Sequence, residues 1–404
     1  MDDFRNPYSQ PYEPDGMMTY PPSSGPGMEP PTKKPRKQRH TWAWIYGSLL
    51  TAYTTFTLLN VFVIPHDTVK VDQSAAAEIY QSTTIDSLLN QTDSGDQTKT
   101  GSVSKGDTIA DAGEISGSNR NTGDTRASED NDISGDIGGD TEIAGISEND
   151  AELLDAEITA TETGYIYRDK TMTITLTQSY RDDTMIYIAD IQLSSIATLK
   201  SGLADDSFGR NLKEKTSDIA DRVGAILAIN GDYYGFRDTG YVIRNGILYR
   251  NTMRSQTAQD LVIYEDGSME IITEGEVTAE ELLERGALQV YSFGPGLVID
   301  GEIAVDAGTE VKQSMTSNPR TAIGCISPLH YVMVVSDGRT DESEGLSLLQ
   351  LAEVMKELGC EQAYNLDGGG STTMYFNGEI INNPTTNGNK VKERSVSDIV
   401  YIGY

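Results

Sequence analysis

Cysteine and histidine are nearly missing from this chain of 404 residues, and their scarcity narrows its chemistry at once. Two cysteines exclude a disulfide scaffold or a zinc ribbon. The three histidines stand at 40, 66 and 330, which excludes the HExxH zinc motif. His40 and His66 flank a hydrophobic run near the N-terminus, so a Ser-His-Asp triad has one candidate member, His330. Positive charge is also short: 31 Lys and Arg face 62 Asp and Glu, a formal net charge of −31. That balance argues against a nucleic-acid partner, because neutralising phosphates needs clustered Lys and Arg. Hydrophobic residues make up 37%, low for one compact globule of this length, and the deficit lies mostly before residue 150.

What is present divides into four segments. Residues 1–41 are rich in Pro, Tyr and Met and close on Lys33, Lys34, Arg36, Lys37 and Arg39. They are expected to be a disordered, cytoplasmic tail with polyproline character, either plainly solvated or docked by an aromatic-lined domain. Residues 42–64 carry no charge and open on Trp42, Trp44 and Tyr46. They are expected to be a transmembrane signal anchor, aromatic belt and basic flank at its cytoplasmic end. This places the chain in the cell membrane as a single-pass protein, with everything after Pro65 outside the cell. Residues 65–150 form a juxtamembrane segment, with a short amphipathic helix near the membrane, and an acidic Gly/Ser/Thr-rich linker that charge repulsion extends. Residues 151–404 have globular composition and a size that suits one core.

In that last segment, short β-patterned runs recur from Met172–Thr177 to Ile399–Ile402, several joined by hairpin signals. These signals are Arg-Asn-Gly at 244–246, Glu-Asp-Gly at 265–267, Asp-Gly at 300–301 and Phe-Asn-Gly at 376–378. A helix is expected over Ser347–Leu358, where Leu348, Leu351, Met355 and Leu358 make one stripe, Ser347 and Gln350 a capping box, and Gly359 the stop. Further helices are expected near Leu212–Val223 and Thr278–Arg285. The fold class is α+β: a mixed, largely antiparallel sheet with a few helices and one βαβ unit.

That βαβ unit carries the chemistry. It runs from Tyr331–Val335 through the helix to Gln362–Leu366, and a right-handed crossover makes its two strands parallel. Asp337 and Asp367 then stand together at carboxyl ends of strands, where open sheets tend to place ligands. Gly368, Gly369 and Gly370, followed by Ser371 and Thr372, can turn successive amides inward as an anion nest, or form a plain turn. Asn230, Asp232, Tyr233 and Tyr234 follow another strand end and suit a sugar, whose apolar face lies on aromatic rings, or else a tight turn. Arg320, Arg339 and Arg394 can hold phosphate bidentately or simply neutralise an acidic domain. His330 reads as a surface histidine, and Cys325 and Cys360 as a disulfide or two buried thiols. An acidic run such as Glu342–Glu344 reads as a solvated face, with a calcium site left open.

Taken in order, NGDYYG (230–235), FGPGLVIDGE (293–302), NPRTAIG (318–324), VVSDGR (334–339), NLDGGGST (365–372) and ERSVSD (393–398) resemble the phosphodiester glycosidase family. The resemblance covers roughly residues 165–404; NLDGGGST and PRTAIG are its specific parts. Family members commonly read Asn-Gly-Gly-Phe-Phe where this chain has Asn230-Gly231-Asp232-Tyr233-Tyr234, which puts a catalytic role for Asp232 in doubt. The resemblance implies a hydrolase that cleaves a sugar C1–O bond with a phosphate monoester leaving, and the expected anchor puts it outside the cell, in cell-surface or exopolysaccharide processing. Its partners are then a glycosyl-phosphate or phosphate-containing glycan and the membrane, with no cofactor required and a divalent cation left open. Asp367 and Asp337 are the expected cation stabilisers or water activators, and Asn230 the group that orients sugar hydroxyls. Phosphate falls to Arg320, the Gly368–Gly370 amides and Ser371, with Thr372, Arg339, Arg394 and Asp232 nearby. Retention or inversion depends on the carboxylate separation, ~5 Å against ~6.5–9.5 Å. Two competitors remain: a non-catalytic binder of phosphate-containing wall polymers, and a metal-dependent phosphodiesterase cutting P–O.

Overall fold

The computed structural model describes residues 41–62, 66–70, 78–81, 83–85, 87–89, 143–309, 317–386 and 390–404. The tail 1–40 and nearly all of the acidic linker lie outside the described residues. The chain divides into two units, Met1–Phe56 and Thr57–Tyr404.

The described part of the first unit belongs to a helix, Thr41–Phe62. At 1.5 Å per residue its 22 residues measure about 33 Å. Even so, no helix among the described residues is long and apolar enough to cross a membrane. The anchor expected at 42–64 is therefore not supported, and the physical reason is composition rather than length. Ser48, Thr51, Thr54, Thr55, Thr57 and Asn60 dilute the apolar residues. The Thr51 and Thr54 hydroxyls donate back to the carbonyls of Gly47 and Leu50, at 2.9 and 2.5 Å.

The second unit holds three large sheets and two short two-stranded ones, and every strand pairing among the described residues is antiparallel. A nine-stranded sheet runs from Glu302–Ile303 at one edge to Glu157–Ala160 at the other. One five-stranded sheet is built around Ala225–Asn230 and Asp398–Gly403, another around Ala287–Tyr291 and Gln259–Tyr264. The inner faces share one core: Ile174, Met333 and Val335 from the first sheet meet Leu227, Ile229 and Val400 from the second and Leu261, Ile263 and Leu288 from the third.

Strand alternation gives each sheet an outer face too. In the strand His330–Ser336, Tyr331, Met333 and Val335 face the shared core, while Val332 and Val334 pack under the helix Leu348–Glu357. That helix lays Leu348, Leu351, Ala352 and Met355 on the sheet, and Ser347 and Gln350 form the expected capping box. Full burial of each large side chain contributes roughly 1.5–3 kcal/mol. The helix Thr216–Val223 covers the second sheet through Ile219 and Ala220, and Ala279–Glu284 covers the third through Leu282.

The hairpins form where the dipeptides place them. Asn245-Gly246, Asp300-Gly301 and Asn377-Gly378 each link strands paired across a two-residue loop, and all six residues have positive φ. That is the backbone of a turn whose twist matches its flanking strands. The βαβ unit differs in one respect. The strands His330–Ser336 and Gln362–Asn365 do run parallel, but Arg320–Ser327 lies between them and is antiparallel to both. The domain also starts before residue 151. His66–Lys70 pairs with Ser207–Arg210, the Tyr80 hydroxyl donates to the Leu199 carbonyl, Leu88 is buried, and the helix Glu148–Leu154 buries Leu154.

A candidate active site at the converging strand ends

Three strands of the nine-stranded sheet meet at one edge in a fixed register. Arg320 opposes Ser336, and Ala322 opposes Asn365, so Arg320, Asp337 and Asp367 share that edge. Asn230 ends its own strand beside them and stitches two sheets together. Its amide donates to the Asp367 carbonyl at 2.6 Å, and its oxygen accepts from the Thr321 hydroxyl at 2.7 Å. The side chain is fully buried and used on both sides, so it fixes the Asp367 backbone rather than facing a ligand.

Asp367 is the carboxylate with charged company at the surface. Its Oδ2 accepts from the Ser371 hydroxyl at 2.6 Å and from Arg394 Nη2 at 2.9 Å, and its Oδ1 accepts from the Gly368 amide at 3.0 Å. Burial raises its pKa above the usual carboxylate range, while Arg394 and Ser371 work against the rise. Arg394 is about half exposed and also donates to the Gly368 carbonyl. Arg339 completes the group: its guanidinium bonds the Asn318 side-chain oxygen at 2.9 Å. Desolvation lowers the Arg339 pKa, and the positive charge of Arg394 lowers it further. Arg339 and Arg394 thus stand near enough to repel each other, and Asp367 offsets the charge of Arg394.

The glycines serve this arrangement differently from a nest. The Gly368 amide is taken by Asp367 and the Gly369 amide by the Pro319 carbonyl at 2.8 Å. What glycine supplies is clearance. A Cβ on Gly369, where φ is +63°, would sit 2.8 Å from Arg339 Nη2, and one on Gly370 would meet Thr386 Oγ1 at 2.6 Å. Thr372 is buried; its carbonyl accepts from Asn382, and its hydroxyl meets no partner among the described residues.

Other expected site residues are placed elsewhere or are occupied. Asp337 is buried and accepts from the Tyr187 hydroxyl, the Asn382 amide, and both the backbone and the side chain of Asn383. It ties down the 382–385 loop. Arg320 is buried and donates through Nε to the Leu346 carbonyl. Asp232 is buried too, accepting from the backbone amides of Tyr234 and Ser292. His330 lies at the far end of its strand, 3.1 Å from Asp190. Cys325 and Cys360 are separate buried thiols, and burial pushes their pKa values up to about 11 and about 12. Among the described residues, no three His, Cys, Asp or Glu gather as metal ligands.

Sequence reasoning passed over two features. One is the pair Asn382-Asn383, signalled by the turn-forming Asn-Pro step that follows it. The other is Arg244, buried between Asp232 at 3.0 Å and Asp398 at 2.8 Å, with its guanidinium 4.0 Å from the centre of the Tyr291 ring. Burial raises the Asp398 pKa to about 7; Arg244 opposes this and Asp232 adds to it. A charge inside two otherwise apolar strands was the available signal, since such groups are rarely buried without partners.

Strand ends from two antiparallel sheets thus bring the Asp367 carboxylate against Arg394, with the positive charge of Arg339 near that of Arg394. Residues 223–403 match the family model described as phosphodiester glycosidase. The SPbeta prophage-derived uncharacterized protein YomE of Bacillus subtilis is 32% identical over 203 residues, 49% of this chain and 31% of the relative. The N-acetylglucosamine-1-phosphodiester alpha-N-acetylglucosaminidase of Mus musculus is 28% identical over 185 residues, 42% of this chain and 35% of the relative. The chain thus spans about a third of the length of these curated relatives. Among solved structures, the zebrafish catalytic domain of the same enzyme aligns with TM-score 0.47 at 19% identity, over 62% of this chain and 88% of that one.

Proposed function

We propose that the domain hydrolyses a sugar-1-phosphodiester at the glycosidic C1–O bond, releasing the sugar and a phosphate monoester. The observation that carries this reading is the contact of Asp367 with Arg394 and Ser371 beside Arg339. In the reaction, Arg339 and Arg394 hold the diester oxygens and take up the charge that collects on the departing phosphate. An ionised phosphate leaves readily, so the demand for a strong general acid is small. Asp367 stabilises the oxocarbenium-like transition state or activates the water that attacks C1. Asn230 and Asp337 position the two loops that carry this group. N-acetylglucosamine is the sugar to test first, since the mouse relative is named for it.

The setting we propose is a cell-surface glycan, with the domain outside the cell and the Thr41–Phe62 helix as its tether. The uncharged run at 42–64 after five basic residues supports that setting. Pelleting of the full chain with membranes through an alkaline wash is the expected result, and release by that wash would remove the tether.

The defining experiment incubates the full chain with N-acetylglucosamine-1-phosphodiesters in heavy-oxygen water. Label on the sugar is expected. Label on phosphate would assign P–O cleavage instead, and binding without cleavage across a substrate panel would assign a wall-polymer binder.

A further inference from the structure

A second cationic site lies on the other side of the Asp232 turn. A cleft of about 210 Å³ is lined by Arg210, Arg237 and Arg250 and by the rings of Phe208, Tyr234 and Tyr249. One acidic residue, Asp238, also lines it; it is largely exposed and pairs with Arg210 at 2.8 Å. Three guanidiniums against one carboxylate is an unusual local balance in a chain of net charge −31.

The protein holds these arginines while leaving one nitrogen of each unmet among the described residues. Arg250 braces the carbonyls of Gly240, Tyr234 and Arg237, at 2.7, 3.0 and 2.7 Å, and Arg237 donates to the Ser292 carbonyl. Yet Nη2 of Arg250, Nε of Arg237 and Nε of Arg210 are buried and meet no hydrogen-bond acceptor among the described residues. Leaving charged donors unmet costs more than an ordinary unmade bond, so the fold holds these three arginines together at a cost. The rings give the cleft a rigid wall: Phe208 stacks on Tyr234 at 5.1 Å and on Tyr249 at 5.0 Å between centroids.

From this geometry we infer that the cleft binds a phosphate group. Two positive charges in excess match the roughly −1.5 to −2 carried by a phosphate monoester near pH 7. The volume lies below the ~300–1,000 Å³ of a site that takes a whole small ligand, so it suits one charged group of a larger one. The chain links the two sites closely. The Gly231 carbonyl accepts from the Asp367 amide, and Tyr234 in the cleft wall follows three residues later, at most about 11 Å away along the chain. A substrate with a terminal phosphate monoester can therefore place its diester at Arg339 and Arg394 and that monoester in the cleft. This last step rests on the proposed glycosidase reading; phosphate binding in the cleft does not.

Calorimetric titration of inorganic phosphate into the full chain tests the cleft directly. Two sites are expected. Arg210→Gln and Arg237→Gln should each weaken one of them about tenfold, and Arg394→Gln should weaken only the other. Acetate at equal concentration should fail to displace phosphate from the cleft. Unchanged phosphate affinity and stoichiometry in the Arg210→Gln/Arg237→Gln double variant would overturn the assignment, as would equal displacement by acetate. Turnover is a separate readout: Arg210→Gln should raise KM about tenfold for a sugar-1-phosphodiester carrying a second phosphate, and leave KM unchanged for one without it. Equal KM changes for both would refute the shared-substrate step.

Discussion

Replacing Asp367 by Asn tests the assigned chemistry at one atom. In the wild-type protein, Oδ2 receives two hydrogen bonds, one of them charge-assisted from Arg394, and Oδ1 receives the Gly368 amide. An Asn in the same rotamer keeps the Gly368 bond through its oxygen and can donate to Ser371. Its amide then opposes Arg394 donor to donor, which forfeits one bond worth roughly 1.5–3 kcal/mol. Against that loss, the variant no longer desolvates a charge, the cause that raises the Asp367 pKa. The two effects have opposite sign, so stability should stay within about 2 kcal/mol of wild type, read as the midpoint of urea unfolding. Activity has no such compensation. Loss of an electrostatic stabiliser at the reacting centre costs about 10²–10³ in turnover, equivalent to about 2.7–4 kcal/mol of barrier. The assay measures sugar release from the phosphodiester, with KM and kcat separated, and the fall should appear in kcat. A folded Asp367→Asn protein with kcat within threefold of wild type would refute the role.

The other expectations concern neighbouring residues. Asp337→Asn should lower stability by about 2–4 kcal/mol, because one oxygen that accepts hydrogen bonds becomes a donor facing donors; thermal unfolding reads it, and unchanged stability would return Asp337 to the catalytic candidates. Gly369→Ala forces an L-residue to φ +63° and its Cβ into Arg339, so KM should rise at least fivefold, and an unchanged KM would remove Arg339 from phosphate binding. Asp398 has a folded pKa raised to about 7, so between about pH 4 and pH 7 the native state holds the extra proton. Its contribution to stability is complete below about pH 4 and fades as pH rises through about 7; the Asp398→Asn protein should show a flatter stability profile across that window, measured by urea midpoints at stepped pH.

Much of this architecture was legible because it rests on local rules. The Asn-Gly and Asp-Gly dipeptides fix their turns through backbone sterics, and Ser347 with Gln350 fixes a helix start through two hydrogen bonds. The common edge of Asp337 and Asp367 followed from one right-handed crossover, and the register bears it out. Side-chain commitment was not legible. Whether a carboxylate faces a ligand or a loop depends on partners distant in sequence: Asp337 is answered by Tyr187 and Asn383, and Asp232 by Arg244 and Ser292. The early boundary of the domain was hidden for the same reason, since His66–Lys70 finds its pairing partner at Ser207–Arg210.

The site also shows how glycine can contribute without offering its amides. An anion nest needs successive N–H groups turned toward one point. Here Gly368 and Gly369 spend theirs inside the protein, on Asp367 and Pro319, so the loop is closed by its own hydrogen bonds. A closed loop with no side chains lets other groups approach its backbone: Arg339 lies against Gly369, and Arg394 against Gly368 and Gly370. Positive charge thus comes from long side chains held over a rigid floor. Guanidiniums can follow a phosphate as its charge grows during bond cleavage, whereas fixed amides hold one geometry. That distinction makes the arginines the expected determinants of phosphate affinity and turnover, and the triple glycine the reason both can lie against this loop.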